Sequence, residues 1–164
     1  SQPPSPLPAP LQRASTGPLR VAVLKFRNLA QDAELGVLCE GLGEVLIDTF
    51  ANSPAVRKRV KLLERNQFDE QNLKELVRGK EEYIDKATAA KLGKVLGAEV
   101  VVQGSFEKQG KLLRVVTRMT SLQDGEVLDS MSEVVPYVTP SDKLRAAEIV
   151  ADKLRARVIA MAGG

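Results

Sequence analysis

The side chains most able to do chemistry in this sequence are charged ones, and they cluster. Arg57-Lys58-Arg59, with Lys61 and Arg65 close behind, is the densest basic run. Crowded guanidinium and ammonium groups can hold phosphates or anionic lipid head groups. No aromatic residue is interleaved with the run, so the stacking surfaces that single-stranded nucleic acid needs are missing. With Glu64 beside Arg65, the segment concentrates polar groups next to a strand end. Arg57, Lys58, Arg59, Glu64 and Arg65 are therefore the candidate partner-binding residues. Further carboxylates follow at Asp69, Glu70 and Glu75 and in the pair Glu81-Glu82. Acid–base catalysis would also require a shaped pocket and shifted ionisation, so these read as solvated groups.

Other chemistries lack their parts. The chain has no histidine, which removes the commonest general base and metal ligand together. The single cysteine, Cys39, has neither a disulfide partner nor an imidazole to activate it, and reads as a buried, inert thiol. Gly36, Gly41 and Gly43 do not have phosphate-loop spacing. Gly41 and Gly43 fall inside a helical pattern and suggest close backbone packing. No catalytic residue, metal or cofactor is expected. A net charge of +3 is too small to imply nucleic acid.

The elements that would position these groups follow from periodicity. Residues 1–18 hold six of the nine prolines, a composition that favours extended geometry and reads as a flexible tether, dispensable for folding. Residues 20–26 form a near-continuous apolar run, the mark of a strand buried on both faces. Helical spacing runs over 35–51 and ends at Asn52-Ser53-Pro54. A second strand is expected over 60–64, and a short helix capped by Asn66 reaches Val77. Asp85 can cap a helix over 86–96, which Gly97 would end in the left-handed conformation. A strand from Ala98 towards Phe106 turns at Lys108-Gln109-Gly110 into a strand over 112–119. There Leu113, Val115, Thr117 and Met119 share one face, with Arg114 and Arg118 on the other. Asp124-Gly125 is a hairpin signal leading into 126–134. Thr139-Pro140-Ser141-Asp142 opens a last amphipathic helix. The order β-α-β-α-α-β-β-β-α predicts a single α/β domain over 19–162, with a mixed sheet and a three-strand antiparallel meander.

Two segments carry a family resemblance. One is Leu63-Glu64-Arg65-Asn66-Gln67-Phe68 with Leu73 to Leu76. The other runs from Thr88-Ala89-Ala90-Lys91-Leu92-Gly93 through Gly97-Ala98-Glu99-Val100 to Gly104-Ser105. With the opening strand and Asp124-Gly125, they resemble the curli-export (CsgG-like) family and the TolB N-terminal-like domains. More distantly, the pattern resembles outer-membrane lipoproteins that activate penicillin-binding proteins. The resemblance implies an anticodon-binding-like α/β fold, a periplasmic or outer-membrane-associated setting and binding of other envelope proteins. The sequence departs from the curli-export pattern in having no cysteine before Cys39, where a lipidated one would stand. Its hairpin strands are also too short and charged for a pore.

The function expected is a non-catalytic protein-interaction module of the bacterial cell envelope, in secretion or envelope assembly. The alternative is a periplasmic domain sensing a small ligand at the strand C-termini. No apolar run approaches the roughly 20 residues that cross a bilayer. The start at Ser1, with no visible signal peptide, is what a processed chain would show, and residues 1–18 could serve as a membrane tether. Gly93, Gly97 and Gly104 are structural: Gly93 lets its helix lie close on the sheet, and Gly104 relieves crowding where another backbone passes. A β-branched residue resists a left-handed position, so Gly97→Val should destabilise the domain by more than about 1 kcal/mol in urea unfolding.

Overall fold

The computed structural model describes residues 6–13, 15–29, 33–63, 70–79 and 84–163. Strand β1 (Leu19–Val23) enters the middle of a sheet, where Val21 and Val23 face one side and Ala22 the other, all buried. The chain leaves the strand at Leu24 and resumes pairing as β2 (Arg27–Asn28), so the run expected over 20–26 is a shorter strand followed by a step. Helix α1 (Ala33–Ala51) and the short α2 (Pro54–Arg57) lead to β3 (Val60–Leu63), parallel to β1. Helices α3 (Glu70–Val77) and α4 (Lys86–Leu96) then carry the chain back past β1 to β4 (Val100–Gln109) on its other side. Strands β5 (Leu112–Ser121) and β6 (Val127–Pro136) complete an antiparallel meander with β4. The last helix is α5 (Lys143–Ala162).

The sheet order β3-β1-β4-β5-β6, with β2 also on β4, explains the layering. Right-handed crossovers that travel in opposite directions from β1 must place their helices on opposite faces. Accordingly, α1 and α5 bury Leu38, Leu42, Leu46, Val150, Leu154 and Val158 against Val21, Val100, Val102 and Met119. On the opposite face, α3 and α4 bury Leu73, Ala89, Leu92 and Leu96 against Ala22, Leu24, Val101 and Leu122. The alternation expected along β5 is present, with Leu113, Val115, Thr117 and Met119 buried. Cys39 is buried in the layer under α1.

Local chemistry sets the ends. The Asp85 carboxylate accepts from the Thr88 N–H at 2.8 Å, and Gly97 ends α4 at φ 66°, so both caps stand where the sequence placed them. Gly93 packs beside Leu122, whose carbonyl oxygen lies 3.4 Å from where a Cβ would sit. Gly104 is occupied differently from the expectation of a passing backbone. A Cβ there would fall 2.4 Å from the Phe26 ring, which also packs on Phe106 at 5.3 Å between centroids. Gly41 meets nothing within 4 Å of an added Cβ, so close packing is not its role.

Other boundaries differ for visible reasons. Asp124-Gly125 sits in a loop over 122–126 rather than a two-residue turn, closed by the Ser121 N–H on the Glu126 carbonyl at 2.8 Å. Gly125, at φ 79°, tucks against the backbone of Asp85 and Lys86, which holds the loop to the start of α4. At the last helix a 3-10 turn (Pro140–Asp142) comes first. Asp142 is the N-cap residue of α5, but its carboxylate reaches back rather than onto the helix, accepting from the Thr139 N–H at 2.9 Å and the Val138 N–H at 2.7 Å. Those two donors hold its carboxyl below the ordinary carboxylate range. The expected cap Asn66 and start of its helix lie outside the described residues.

Residues 1–18, read from composition as a tether, make specific contacts with the domain over their described part. Arg13 donates from Nε and Nη2 to the two oxygens of Glu99, each at 2.8 Å, and from Nη1 to the Gly17 carbonyl at 2.7 Å. Ser15 Oγ donates to the same carboxylate at 3.0 Å. The Leu11 N–H bonds the Met161 carbonyl at 2.8 Å, and Arg157 Nη2, while paired with Asp129, reaches the Pro6 carbonyl at 3.1 Å. Glu99 is only 4% exposed. Burial pushes its carboxyl up, but hydrogen bonds from Arg13, the Arg20 N–H and Ser15 outweigh this and hold it below its ordinary value of 4.5.

A depressed carboxyl favours the folded state above the unfolded group's pKa, and that contribution is lost as pH falls through the folded value. Arg13→Ala should therefore cost about 2 kcal/mol at neutral pH, because it leaves the buried carboxylate with only the Ser15 hydroxyl, the Arg20 N–H and the Arg20 guanidinium at 3.5 Å. Urea unfolding at neutral pH and again well below pH 4.5 should show the gap between variant and parent narrowing in acid.

Candidate functional site

The two faces of the sheet are not equally covered. On the side of α3 and α4, packing ends near Val101 and Leu122, and no element among the described residues covers the outer face of the meander beyond them. Register arranges its side chains as a grid. Gln103, Ser105 and Glu107 on β4 stand opposite Arg118, Val116 and Arg114 on β5. Strand β2 sets Arg27 beside Ser105, and Leu29 follows two residues on. The short side chains of Ser105 and Val116 lie in the middle of longer ones, and the result is a cleft of about 240 Å³.

Its electrostatics are one-sided. Arg27, Arg114 and Arg118 face a single carboxylate, Glu107, among the lining residues. Among the described residues, none of the three guanidiniums forms an ion pair or side-chain hydrogen bond, although Arg13 and Arg157 elsewhere are fully engaged. Gln103 is 8% exposed, and its Oε1 is buried without a hydrogen-bond partner. A buried polar atom left unpaired costs about 1–3 kcal/mol of stability. Planar guanidiniums bind carboxylate or phosphate oxygens in pairs. The amide oxygen accepts from an O–H or N–H, and the Ser105 hydroxyl can do either. The arrangement suits capture of an anion that also carries donors.

The basic residues singled out from the sequence sit elsewhere. Arg57 ends α2, Lys58 caps it and Arg59 precedes β3, all three exposed beside a sheet edge. None of them lines the cleft. Glu64 and Arg65 lie outside the described residues, as do Asp69 and the pair Glu81-Glu82. Among the described residues, no group of three Cys, Asp or Glu side chains is gathered closely enough to hold a metal ion. Sequence reasoning missed the cleft. The available signal was two arginines four residues apart on one face of a central strand, where a solvated face would have served as well.

These features define a mixed α/β domain with one face of its meander uncovered. No protein-family model and no curated protein matches the sequence. Solved structures do share the fold. A PelC dodecamer subunit from Paraburkholderia phytofirmans superposes with a TM-score of 0.55 at 14% identity, over 95% of each chain. TolB from Acinetobacter baumannii gives 0.52 at 17% identity over 92% of this chain but only 29% of its own, so this chain spans less than a third of that protein. Lipoprotein GNA1162 from Neisseria meningitidis gives 0.51 at 12% identity, over 85% of this chain and 99% of its own. At these identities the likeness establishes the fold.

If Gln103 is held for binding rather than for stability, replacing it by an apolar residue of similar length removes an unsatisfied group at no packing loss. Gln103→Met should raise stability by about 1 kcal/mol in urea unfolding.

Proposed function

We propose that this chain is a non-catalytic protein-interaction module of the bacterial cell envelope, acting in secretion or envelope assembly. The observation that carries the reading is the edge of the sheet: β3 ends the strand order, and Arg57, Lys58 and Arg59 stand exposed just before it. An edge strand beside exposed charges suits a surface that meets another protein. Support for the envelope setting comes from the fold shared with TolB, with a lipoprotein and with a subunit of a dodecamer. The sequence resemblance to curli-export proteins favours secretion in the same way.

Within this reading, the contact is the basic turn of Arg57, Lys58 and Arg59 with Glu64 and Arg65 beyond it. Arg57, Lys58 and Arg59 precede β3, which is an edge strand among the described residues and can take a partner on its outer side. A second reading, sensing of a small ligand, is favoured by the cleft that opens where β1 ends and β2 takes over its place beside β4.

The test of the first reading is charge reversal. Arg57→Glu, Lys58→Glu and Arg59→Glu combined should leave the melting temperature nearly unchanged, because exposed charges contribute little to stability. Capture of an envelope partner by the immobilised domain should weaken, with the largest difference at low salt, where attraction is least screened. Equal capture by parent and variant at every salt concentration would remove this turn as the contact, and turnover of a substrate by the purified domain would overturn the non-catalytic reading.

A further inference from the structure

We propose that the cleft on the open sheet face binds a small polyhydroxylated anion, a sugar acid or a sugar phosphate. Its charged group is held by Arg27, Arg114 and Arg118, and one of its hydroxyls donates to Gln103 Oε1. This goes beyond the interaction role above, and either can fail without the other.

Three observations converge. First, the guanidiniums come from two strands, with Arg27 on β2 and Arg114 and Arg118 four residues apart on β5. Strand rise puts the latter two Cα atoms about 13 Å apart, so their long side chains can close over Val116 from both ends, opposite Arg27. Without ion-pair partners among the described residues, all three are available to an anion. Second, a simple anion leaves Gln103 Oε1 unsatisfied, because that atom needs a donor. Glu107, across the strand pair from Arg114, also accepts and would repel a second negative charge. A ligand with one anionic group and several hydroxyls satisfies both ends. Third, a cleft of about 240 Å³ has the volume of about eight water molecules, which accommodates a hexuronate of about 13 non-hydrogen atoms. The floor is only three residues long on each strand, short for an extended peptide.

The test is amide-resolved NMR titration of the ¹⁵N-labelled chain in low salt with D-glucuronate, D-glucose 6-phosphate, D-glucose, inorganic phosphate and a short polyglutamate peptide. The expected result is a saturable shift confined to residues 103–107, 114–118 and the neighbourhood of Arg27 with one or both charged sugars. The tighter of the two identifies a carboxylate or a phosphate as the anchoring group. Glucose and inorganic phosphate should bind at least about tenfold more weakly. Arg114→Gln and Arg118→Gln should each weaken the charged sugar about tenfold, with Arg118→Lys intermediate. Gln103→Met should weaken the sugar while leaving the affinity for inorganic phosphate unchanged, a pattern that general misfolding cannot produce. Spectra of the free variants that overlay the parent's away from the cleft control for the fold. The proposal is overturned if neither sugar shifts the cleft amides at about 10 mM, a concentration far above ordinary ligand affinities. It also fails if inorganic phosphate binds as tightly as the sugars, or if the acidic peptide binds more tightly than either.

Discussion

Phe26, Phe106 and the inner faces of α1 and α5 share one continuous apolar layer, and every strand of the sheet has to offer alternate residues to it in register. Because side chains alternate at each residue, filling that layer commits the intervening residues of β4 and β5 to the opposite side. Phe26 shows how tight the fit is: its ring lies where a Cβ on Gly104 would be, so the step between β1 and β2 and the glycine on β4 are one feature. The open face is the other half of the same constraint. Gln103, Ser105, Arg114, Val116 and Arg118 stand together because Val102, Phe106, Val115 and Met119 are buried beneath them.

Two arginine–carboxylate pairs tie the proline-rich stretch to that framework. Arg13 closes on Glu99, just before β4, and Arg157 of α5 closes on Asp129 of β6 while reaching the Pro6 carbonyl. Buried ion pairs of this kind hold geometry more than they add net stability, since desolvation offsets much of their attraction. Here they fix a segment that has no apolar periodicity of its own to direct its packing.

Arginine thus has two uses in one small domain. Arg13 and Arg157 are satisfied by carboxylates inside the fold, whereas Arg27, Arg114 and Arg118 surround a cleft without pairing among the described residues. Planar guanidiniums serve both, since the fork geometry that grips a glutamate also grips a ligand anion. The interaction role assigned to the basic turn and the ligand role assigned to the cleft use separated surfaces, so one domain can carry both.

Much of the architecture was legible in the order of residues. The four inward positions of β5, the Asp85 cap, the left-handed Gly97 and the meander follow from local periodicity and backbone sterics, which need no distant partner. What depends on residues far apart in the chain was decided only by the tertiary structure. Prolines near the N-terminus read as a tether, and nothing local reveals that Arg13 meets Glu99, 86 residues away. Gly104 showed a need for space but not that a phenyl ring would fill it. Arg27 joins Arg114 and Arg118 only when β2 pairs with β4, since sheet register is set by long-range packing rather than by neighbours in sequence.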